Sequence, residues 1–368
     1  MIVIHSLAGG GAERVARDLS AGWLEQGYRL SVVTQAGTDQ DAYDLAPGVE
    51  RYVLNTAGSS KGRVHALWKN WRRVRLLRAL IKKHKPDVVL GMMTTSSVLS
   101  INAARGLPCQ VIATEHTHPP SQSLSPFWVK ARQKSYPLAH HVVALTQGTA
   151  DWLQEHVPGC KLAVIPNAVV WPLPSAEPLV PVPEKQGRYR LLAVGRLHPV
   201  KGFDVLLQAF ATLLHYFPDW DLVIVGEGEL RAQLEAQVLD LNLQDRVSLP
   251  GRVGNMADWY LGSDLYVLSS KMEGLSNSLL EAMAAGLPAV AFDCETGPRE
   301  IIRPGIDGAL VQPVSDVEAL AAHLSDFMAH VDKRHAYGQR AADVRDRFSA
   351  TRVFALWQQL LEQCRTRP

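Results

Sequence analysis

The chain has 368 residues, 47% hydrophobic and 20% charged, which fits a soluble globular enzyme of about two domains and excludes a disordered or fibrous chain. No apolar run reaches the roughly eighteen residues of a membrane span, and the four scattered cysteines exclude a disulfide framework and a zinc finger. The net charge of +2 conceals a local excess of positive charge, because residues 51–86 hold eleven of the 38 Lys and Arg residues and no Asp or Glu.

Strand and helix signals alternate through the first half of the chain. Such alternation is typical of a parallel sheet covered by helices on both faces. Since the first strand begins at residue 2, we expect no signal peptide and a cytoplasmic protein. The predicted strands are 2–5, 30–34, 87–90, 110–114 and 141–145, and the predicted helices are 12–26, 64–84, 96–105 and 128–138.

A glycine-rich turn, residues 9–11, separates the first strand from the first helix. Glycine allows the backbone to approach a ligand closely and exposes N–H groups to a phosphate or an acceptor. Gly10 and Gly11 are therefore counted among the candidate donor-binding residues, although many turns of this kind only reverse the chain.

The basic residues concentrate on the predicted helix 64–84. Apolar side chains recur on it every three or four residues with Lys and Arg between them, so the helix is basic and amphipathic. Tryptophans beside such charges suit anionic lipid headgroups, but an ordinary helix of a parallel-sheet domain also exposes Lys and Arg. No nucleic-acid motif accompanies it. The residues expected to face a membrane or an acceptor are Trp68, Lys69, Trp71, Arg72, Arg73 and Arg75.

A proline-rich stretch, residues 172–187, shows no periodic pattern and is interpreted as a linker. A second alternating series follows, with predicted strands 190–194, 221–225, 247–249, 265–267 and 289–292 and predicted helices 203–215, 230–239 and 255–261. The two halves indicate two Rossmann-like domains facing each other across a cleft. We place the domains at 1–171 and 188–348 and an amphipathic helix at 349–368.

Two cations lie on the loop that follows the first strand of the second half. Arg196 and Lys201 fall between Gly195 and Gly202, at the carboxyl edge of the sheet. Ligands of open parallel sheets bind at that edge, and fixed cations there stabilise a departing diphosphate. The alternative is a pair of solvated loop residues.

Two carboxylates eight residues apart, Glu273 and Glu281, carry the most specific signal. A carboxylate accepts two hydrogen bonds side by side and can hold a vicinal diol. Between them a helix begins whose free N–H groups favour an anion, and a later turn is aimed at the same edge. Alternatively Glu281 is an ordinary helix residue. The further candidates for donor binding are Gly274, Leu275, Ser276, Asn277 and Gly297.

The Glu-x7-Glu block, the segment 195–202 and the GGAER run at 10–14 together resemble the retaining GT-B glycosyltransferases of family 4. The resemblance implies a terminal helix that crosses back onto the first domain. It also assigns Arg196 and Lys201 to the leaving diphosphate, Glu273 to the transferred sugar and Glu281 to the ribose. It implies no protein nucleophile and no cofactor, and the two D-x-D patterns of the sequence lie in settings that do not suggest a metal site.

By the same resemblance, a histidine after the strand 110–114 lies near the reacting sugar; we favour His116, with His118 as the alternative and a structural role for one of the two. The implied reaction moves a hexose or N-acetylhexosamine, expected on UDP, to a glycan or a polyprenyl-diphosphate-linked glycan. Synthesis of cell-surface polysaccharide at the inner face of the cytoplasmic membrane is the expected setting. A sugar-nucleotide epimerase and a catalytically silent nucleotide-sugar-binding protein remain open.

Overall fold

A computed structural model describes residues 1–58 and 62–365 of the chain. The side chains of Arg63, Val64, Ala66 and Arg365 lie outside this description, as do residues 366–368 of the predicted terminal helix. The chain divides into two compact units. Unit 1 comprises Met1–Asn167 with Val353–Pro368, and unit 2 comprises Ala168–Arg352.

Within the described residues of unit 1, seven parallel strands form one sheet; numbered along the chain, their order across the sheet is 3-2-1-4-5-6-7. The strands are β1 (Ile2–Ile4), β2 (Ser31–Thr34), β3 (Glu50–Val53), β4 (Val88–Met92), β5 (Gln110–Glu115), β6 (His141–Ala144) and β7 (Leu162–Val164). The helices between them are α1 (Gly11–Glu25), α2 (Arg63–His84), α3 (Met93–Ala104), α4 (Pro126–Ser135) and α5 (Gln147–His156).

The central strands of unit 1 are buried along their length, as a parallel sheet between two helix layers requires. Strands β3 and β7 were not predicted. They lie at the two edges of the sheet, and none of their residues is buried. An edge strand with a solvated face lacks the continuous apolar run that marks a central strand, which explains the omission.

Unit 2, all of whose residues are described, repeats this plan with six parallel strands. They are β8 (Tyr189–Val194), β9 (Trp220–Val225), β10 (Val247–Gly251), β11 (Leu265–Leu268), β12 (Ala289–Phe292) and β13 (Gly308–Val311), arranged in the order β10-β9-β8-β11-β12-β13. The helices are α6 (Phe203–Leu213), α7 (Arg231–Asp240), α8 (Met256–Leu261), α9 (Asn277–Ala284), α10 (Pro298–Ile301), α11 (Val317–Ala329), α12 (Val331–Ala341) and α13 (Val344–Arg347).

The proline-rich segment 172–187 is part of unit 2. The Gly254 N–H donates to the Pro178 carbonyl at 2.7 Å, and the Ala176 N–H donates to the Gly254 carbonyl at 3.1 Å. Further along, the Lys185 ammonium lies 2.8 Å from the Asp264 carboxylate. The segment is therefore hydrogen-bonded to unit 2, and the division between the units falls at residue 168.

Helix α14 (Ala350–Arg365) brings the end of the chain onto unit 1. The Trp357 ring meets the Trp23 ring of α1 edge to face, with 5.5 Å between centroids. Nearby, Phe354 lies so close to Gly22 that a Cβ atom there would come within 2.2 Å of the ring. Unit 1 is thus assembled from both ends of the chain.

Candidate active site

The sheet of unit 2 changes direction between β8 and β11. Strands β9 and β10 lie on one side of β8, whereas β11, β12 and β13 lie on the other, and this reversal of the strand order leaves a crevice at the carboxyl edge. Residues 195–202 follow β8 and residues 269–276 follow β11. The predicted residues Arg196, Lys201 and Glu273 therefore lie on the two loops that flank this crevice.

Hydrogen bonds to backbone carbonyls connect these two loops. The Lys271 N–H donates to the Val200 carbonyl at 2.8 Å, and the Ser269 hydroxyl donates to the Lys201 carbonyl at 2.8 Å. Gly202 has φ of +63°, and a Cβ atom on it would lie 2.2 Å from the Ser269 carbonyl oxygen. Only glycine fits this crossing, so the Gly that follows Lys201 allows the loops to touch.

The Lys201 ammonium lies 2.6 Å from a Glu273 carboxylate oxygen, which joins two of the predicted residues in one ion pair. The side chains are 20% and 10% exposed, so the pair is partly desolvated yet open at the edge of the sheet. A third loop supports it, because the Thr296 hydroxyl donates to the Glu273 carbonyl at 2.8 Å. Arg196 lies on the same loop as Lys201, and its side chain is exposed and open to an anion.

The start of helix α9 faces the same edge. Ser276 is the N-cap, and its hydroxyl accepts from the Leu279 N–H at 3.4 Å. Gly297 of the neighbouring loop has φ of +97°, and a Cβ atom there would lie 2.4 Å from the Gly274 carbonyl. Close backbone packing therefore brings the predicted residues Gly274, Ser276 and Gly297 together. Leu275 is buried and Asn277 is half-buried beside them.

Glu281 lies inside helix α9 and is only 5% exposed. Its carboxylate accepts a hydrogen bond from the Tyr260 hydroxyl at 3.0 Å. This contact orients one carboxylate oxygen. The expected role of Glu281 at the ribose remains a prediction.

Gly10 and Gly11 belong to unit 1 rather than to the crevice of unit 2. Gly10 is the N-cap of α1 and Gly11 is its first residue. The Glu13 carboxylate folds back over Gly10, where a Cβ atom would lie 2.2 Å from a carboxylate oxygen. The two glycines therefore mark the carboxyl edge of the other sheet.

His116 directly follows β5 at that edge, and a chain of hydrogen bonds determines which of its ring nitrogens carries the proton. The Thr114 hydroxyl donates to the Gly91 carbonyl at 3.2 Å and lies 3.0 Å from His116 Nε2. Since the hydroxyl proton is used, Nε2 must carry the proton that it donates to Thr114. Burial lowers the pKa of His116 to about 4, so the ring is neutral at pH 7. Nδ1 is buried, and none of the described residues forms a hydrogen bond with it.

His118, the alternative, is buried, with Nδ1 3.2 Å from the Thr149 hydroxyl and its ring against Trp152. Its contacts join the loop after β5 to helix α5.

Sequence reasoning missed Glu115, a buried carboxylate beside His116. It accepts from the Thr94 hydroxyl at 2.8 Å, from Gln122 Nε2 at 2.9 Å and from the Tyr136 hydroxyl. Arg132 lies 3.8 Å away. Burial raises the pKa of Glu115, and the hydrogen bond from Tyr136 and the charge of Arg132 oppose that shift. The only signal in the sequence is a charged residue that ends an otherwise apolar strand.

The N-terminal half of α2 carries an exposed aromatic and basic surface. Leu67, Trp68 and Trp71 are 57%, 53% and 54% exposed. The Arg72 guanidinium lies 5.9 Å from the Trp68 ring and that of Arg75 lies 4.6 Å from the Trp71 ring. We call Leu67, Trp68, Trp71, Arg72 and Arg75 the α2 surface.

Two of the basic residues predicted for this face are less open. Arg73 donates to the Thr56 carbonyl at 2.7 Å and to Asn70 at 2.9 Å, so its guanidinium is held against the preceding loop. Lys69 is half-buried. Across residues 1–58 and 62–365, no helix has the length and apolar character needed to cross a bilayer.

Two family models match the chain and together span most of it. The model described as Glycosyltransferase Family 4 matches residues 9–170, and the model described as Glycosyl transferases group 1 matches residues 179–344.

Three curated relatives illustrate the range of similar proteins. The exopolysaccharide phosphotransferase SCO2592 of Streptomyces coelicolor is 36% identical over 74% of this chain, but the match spans only 28% of that relative's length. The amylovoran biosynthesis glycosyltransferase AmsD of Erwinia amylovora is 27% identical over 98% of this chain and 99% of its own length. A Campylobacter jejuni α-1,4-N-acetyl-D-galactosaminyltransferase, named for an acceptor on PP-undecaprenol, is 26% identical over 84% and 83%.

Solved structures show the same fold. Sucrose-phosphate synthase from Thermosynechococcus elongatus superposes with a TM-score of 0.85 at 19% identity, over 98% of both chains. Anabaena HepE, solved with UDP and glucose, superposes with a TM-score of 0.79 at 19% identity, over 100% of this chain and 99% of its own. The predicted α/β fold of GT-B type, with two Rossmann-like sheets, is confirmed.

Proposed function

Because this chain belongs to the family 4 glycosyltransferases, we propose that it is a retaining, metal-independent transferase that acts on a UDP-linked hexose or N-acetylhexosamine. The acceptor is a glycan or a polyprenyl-diphosphate-linked glycan of a cell-surface polysaccharide. The Erwinia and Campylobacter relatives, by their names, support this pathway and acceptor class. The observation that carries the proposal is the Lys201–Glu273 pair beside Arg196, at the switch point of unit 2.

These residues suit the chemistry of the leaving group. When the glycosidic bond breaks, the departing UDP gains negative charge, and cations fixed beforehand stabilise that charge without reorganisation. Lys201 is fixed by Glu273, while the exposed Arg196 is free to swing onto the diphosphate. The proposed reaction has no protein nucleophile: the departing phosphate takes the acceptor proton on the same face of the sugar.

The remaining residues of unit 2 divide the donor between them. Glu273 accepts hydrogen bonds from hydroxyl groups of the transferred sugar. Glu281, oriented by Tyr260, accepts hydrogen bonds from the hydroxyl groups of the ribose. Backbone N–H groups at the start of α9 favour the diphosphate. Anabaena HepE, whose structure contains UDP, supports uridine as the nucleoside of the donor.

Unit 1 is proposed to bind the acceptor, with His116 at its carboxyl edge. Because Nε2 of this neutral imidazole donates to Thr114, Nδ1 can only accept a hydrogen bond; it is buried in the free chain, and the proposal is that acceptor binding exposes it to a sugar hydroxyl. The α2 surface is proposed to dock on anionic lipid at the inner face of the cytoplasmic membrane, because tryptophans and arginines together suit that interface.

The test is incubation of the purified chain with UDP-linked glucose, galactose, N-acetylglucosamine and N-acetylgalactosamine, with and without prenyl-diphosphate-linked N-acetylhexosamine. A product that forms only with the acceptor, and with retained anomeric configuration, is expected. An epimerised donor without acceptor would indicate an epimerase, and binding without turnover would indicate a silent sugar-nucleotide-binding protein. Either result would refute the proposal. Repeating the assay in EDTA tests metal independence.

A further inference from the structure

Strand β4 runs into helix α3 without a loop. The strand ends at Met92 and the helix begins at Met93. The turn is so tight that a Cβ atom on Gly91 would lie 2.5 Å from the Ser97 Cα atom. Met93 has φ of +65°, in the left-handed region that few side chains other than those of Asn and Asp occupy. Its side chain is nonetheless exposed.

Buried hydrogen bonds hold this strained turn. The Thr94 hydroxyl donates to the Glu115 carboxylate at 2.8 Å and lies 3.0 Å from Gln122 Oε1. The Ser97 hydroxyl donates to the Gly91 carbonyl at 2.8 Å. A strained residue persists only where its surroundings over-determine it, and such residues cluster at functional sites. Sharp strand-to-helix turns elsewhere hold a functional side chain exposed above a parallel sheet.

The turn lies at the switch point of the unit 1 sheet. The strand order of that sheet reverses between β1 and β4, so the end of β4 borders the crevice where a ligand of this unit would bind. The neighbouring strand β5 ends at Glu115 and is followed by His116, and Thr114 links His116 to Gly91. Met93 and His116 therefore come from adjacent strand ends of one edge.

We propose that Met93 is a specificity-determining contact for the acceptor, with its thioether against an apolar face of the acceptor sugar. A flexible, polarisable side chain suits the C–H face of a pyranose ring. The inference rests on the proposed function, in which unit 1 binds the acceptor. The left-handed φ of Met93 gives its side chain a different direction from the one that a helical φ would give.

Paired substitutions test this contact. Met93→Asn tolerates the left-handed backbone but removes the apolar group, whereas Met93→Leu keeps an apolar group. With farnesyl-diphosphate-linked N-acetylhexosamine as acceptor, Met93→Asn should raise the acceptor KM tenfold or more and leave the donor KM and the Tm unchanged. Met93→Leu and the exposed control Leu239→Asn should stay within threefold of wild type. An unchanged acceptor KM in a folded Met93→Asn variant would overturn the proposal.

A second readout does not need turnover. Peroxide oxidation of Met93, followed by mass spectrometry with UDP present throughout, should slow at least fivefold when the same acceptor probe is added. Oxidation of the partly exposed Met256 in unit 2 should not change. Equal oxidation of Met93 with and without the probe would refute the contact. Absence of transfer by the wild type would defeat the proposed function, and the oxidation rate would then still decide whether Met93 meets the acceptor.

Discussion

At the scale of single residues, the neutral state of His116 makes stability depend on pH. Its pKa is about 4 in the folded chain against 6.5 for an ordinary histidine. Between these values the unfolded chain holds a proton that the folded chain does not, so stability falls as the pH falls through this window. The loss from this residue should be about 2 kcal/mol between about pH 7.5 and about pH 5.

His116→Gln should remove that loss. Denaturant unfolding at the two pH values is expected to show a smaller decrease in the free energy of unfolding for the variant than for wild type. Glu115, whose raised pKa acts in the opposite direction, is present in both proteins and cancels in the comparison. The exposed His215→Gln serves as the control and should keep the wild-type dependence. The same decrease in His116→Gln and wild type would contradict a buried, neutral His116.

The Lys201–Glu273 pair leads to a kinetic prediction. Lys201→Ala should lower kcat by about a hundredfold to a thousandfold, the usual effect of removing a preorganised stabiliser of developing charge, with a much smaller change in UDP affinity. Lys271→Ala is a matched control, because Lys271 lies on the loop of Glu273 but its ammonium faces Asp204 at 3.5 Å. That variant should stay within threefold of wild type. Equal losses in the two variants, measured by single-turnover kinetics, would argue against a specific role for Lys201.

At the scale of elements, helix α2 changes character along its length. Its C-terminal half buries Leu77 and Ile81 in the core of unit 1, whereas Leu67 and Trp71, on the same predicted stripe, are exposed. Helical periodicity shows which side chains share a face, but not whether other elements cover that face. The proposed membrane contact is therefore restricted to the exposed N-terminal half of α2.

Binding to vesicles tests the α2 surface. Arg72→Gln with Arg75→Gln should weaken partition onto phosphatidylglycerol vesicles by about 30-fold, since each cation near an anionic surface contributes about 1 kcal/mol. Lys161→Gln with Arg352→Gln removes the same charge from other exposed positions and should have little effect. Donor hydrolysis in solution should be unchanged in both. If the two double variants lose vesicle binding equally, the attraction is one of net charge and not of this surface.

At the scale of the whole molecule, unit 1 depends on helix α14. Trp357→Ala removes a buried ring from its contact with Trp23 and should cost about 3–5 kcal/mol. Amide exchange should accelerate in β1 and β4, while β8 and β11 in unit 2 keep the wild-type rates. Leu356→Ala, on the exposed side of the same helix, should cost less than about 1 kcal/mol. Acceleration in both units would show that their stabilities are not separable.

The sequence predicted those parts of the molecule that depend on local pattern. Arg196, Lys201 and Glu273 each follow an apolar strand, so their placement at one sheet edge required only the strand pattern and the parallel topology. The Glu115 network was not predictable in this way, because its partners Thr94 and Tyr136 are 21 residues away in opposite directions. The proline-rich segment shows the same limit: its composition indicates a linker but does not show its hydrogen bonds with Gly254.

The return of α14 to unit 1 also determines which unit can be completed first during translation. Unit 2 is continuous in the chain, so all of its residues have been synthesised by Arg352, whereas unit 1 still lacks most of the helix that covers Trp23. Domains generally fold as they emerge, and incompletely covered apolar surface favours aggregation. The part of the protein that is made first is therefore the part that is completed last, and its apolar surface beside α1 stays uncovered while the whole of unit 2 is translated.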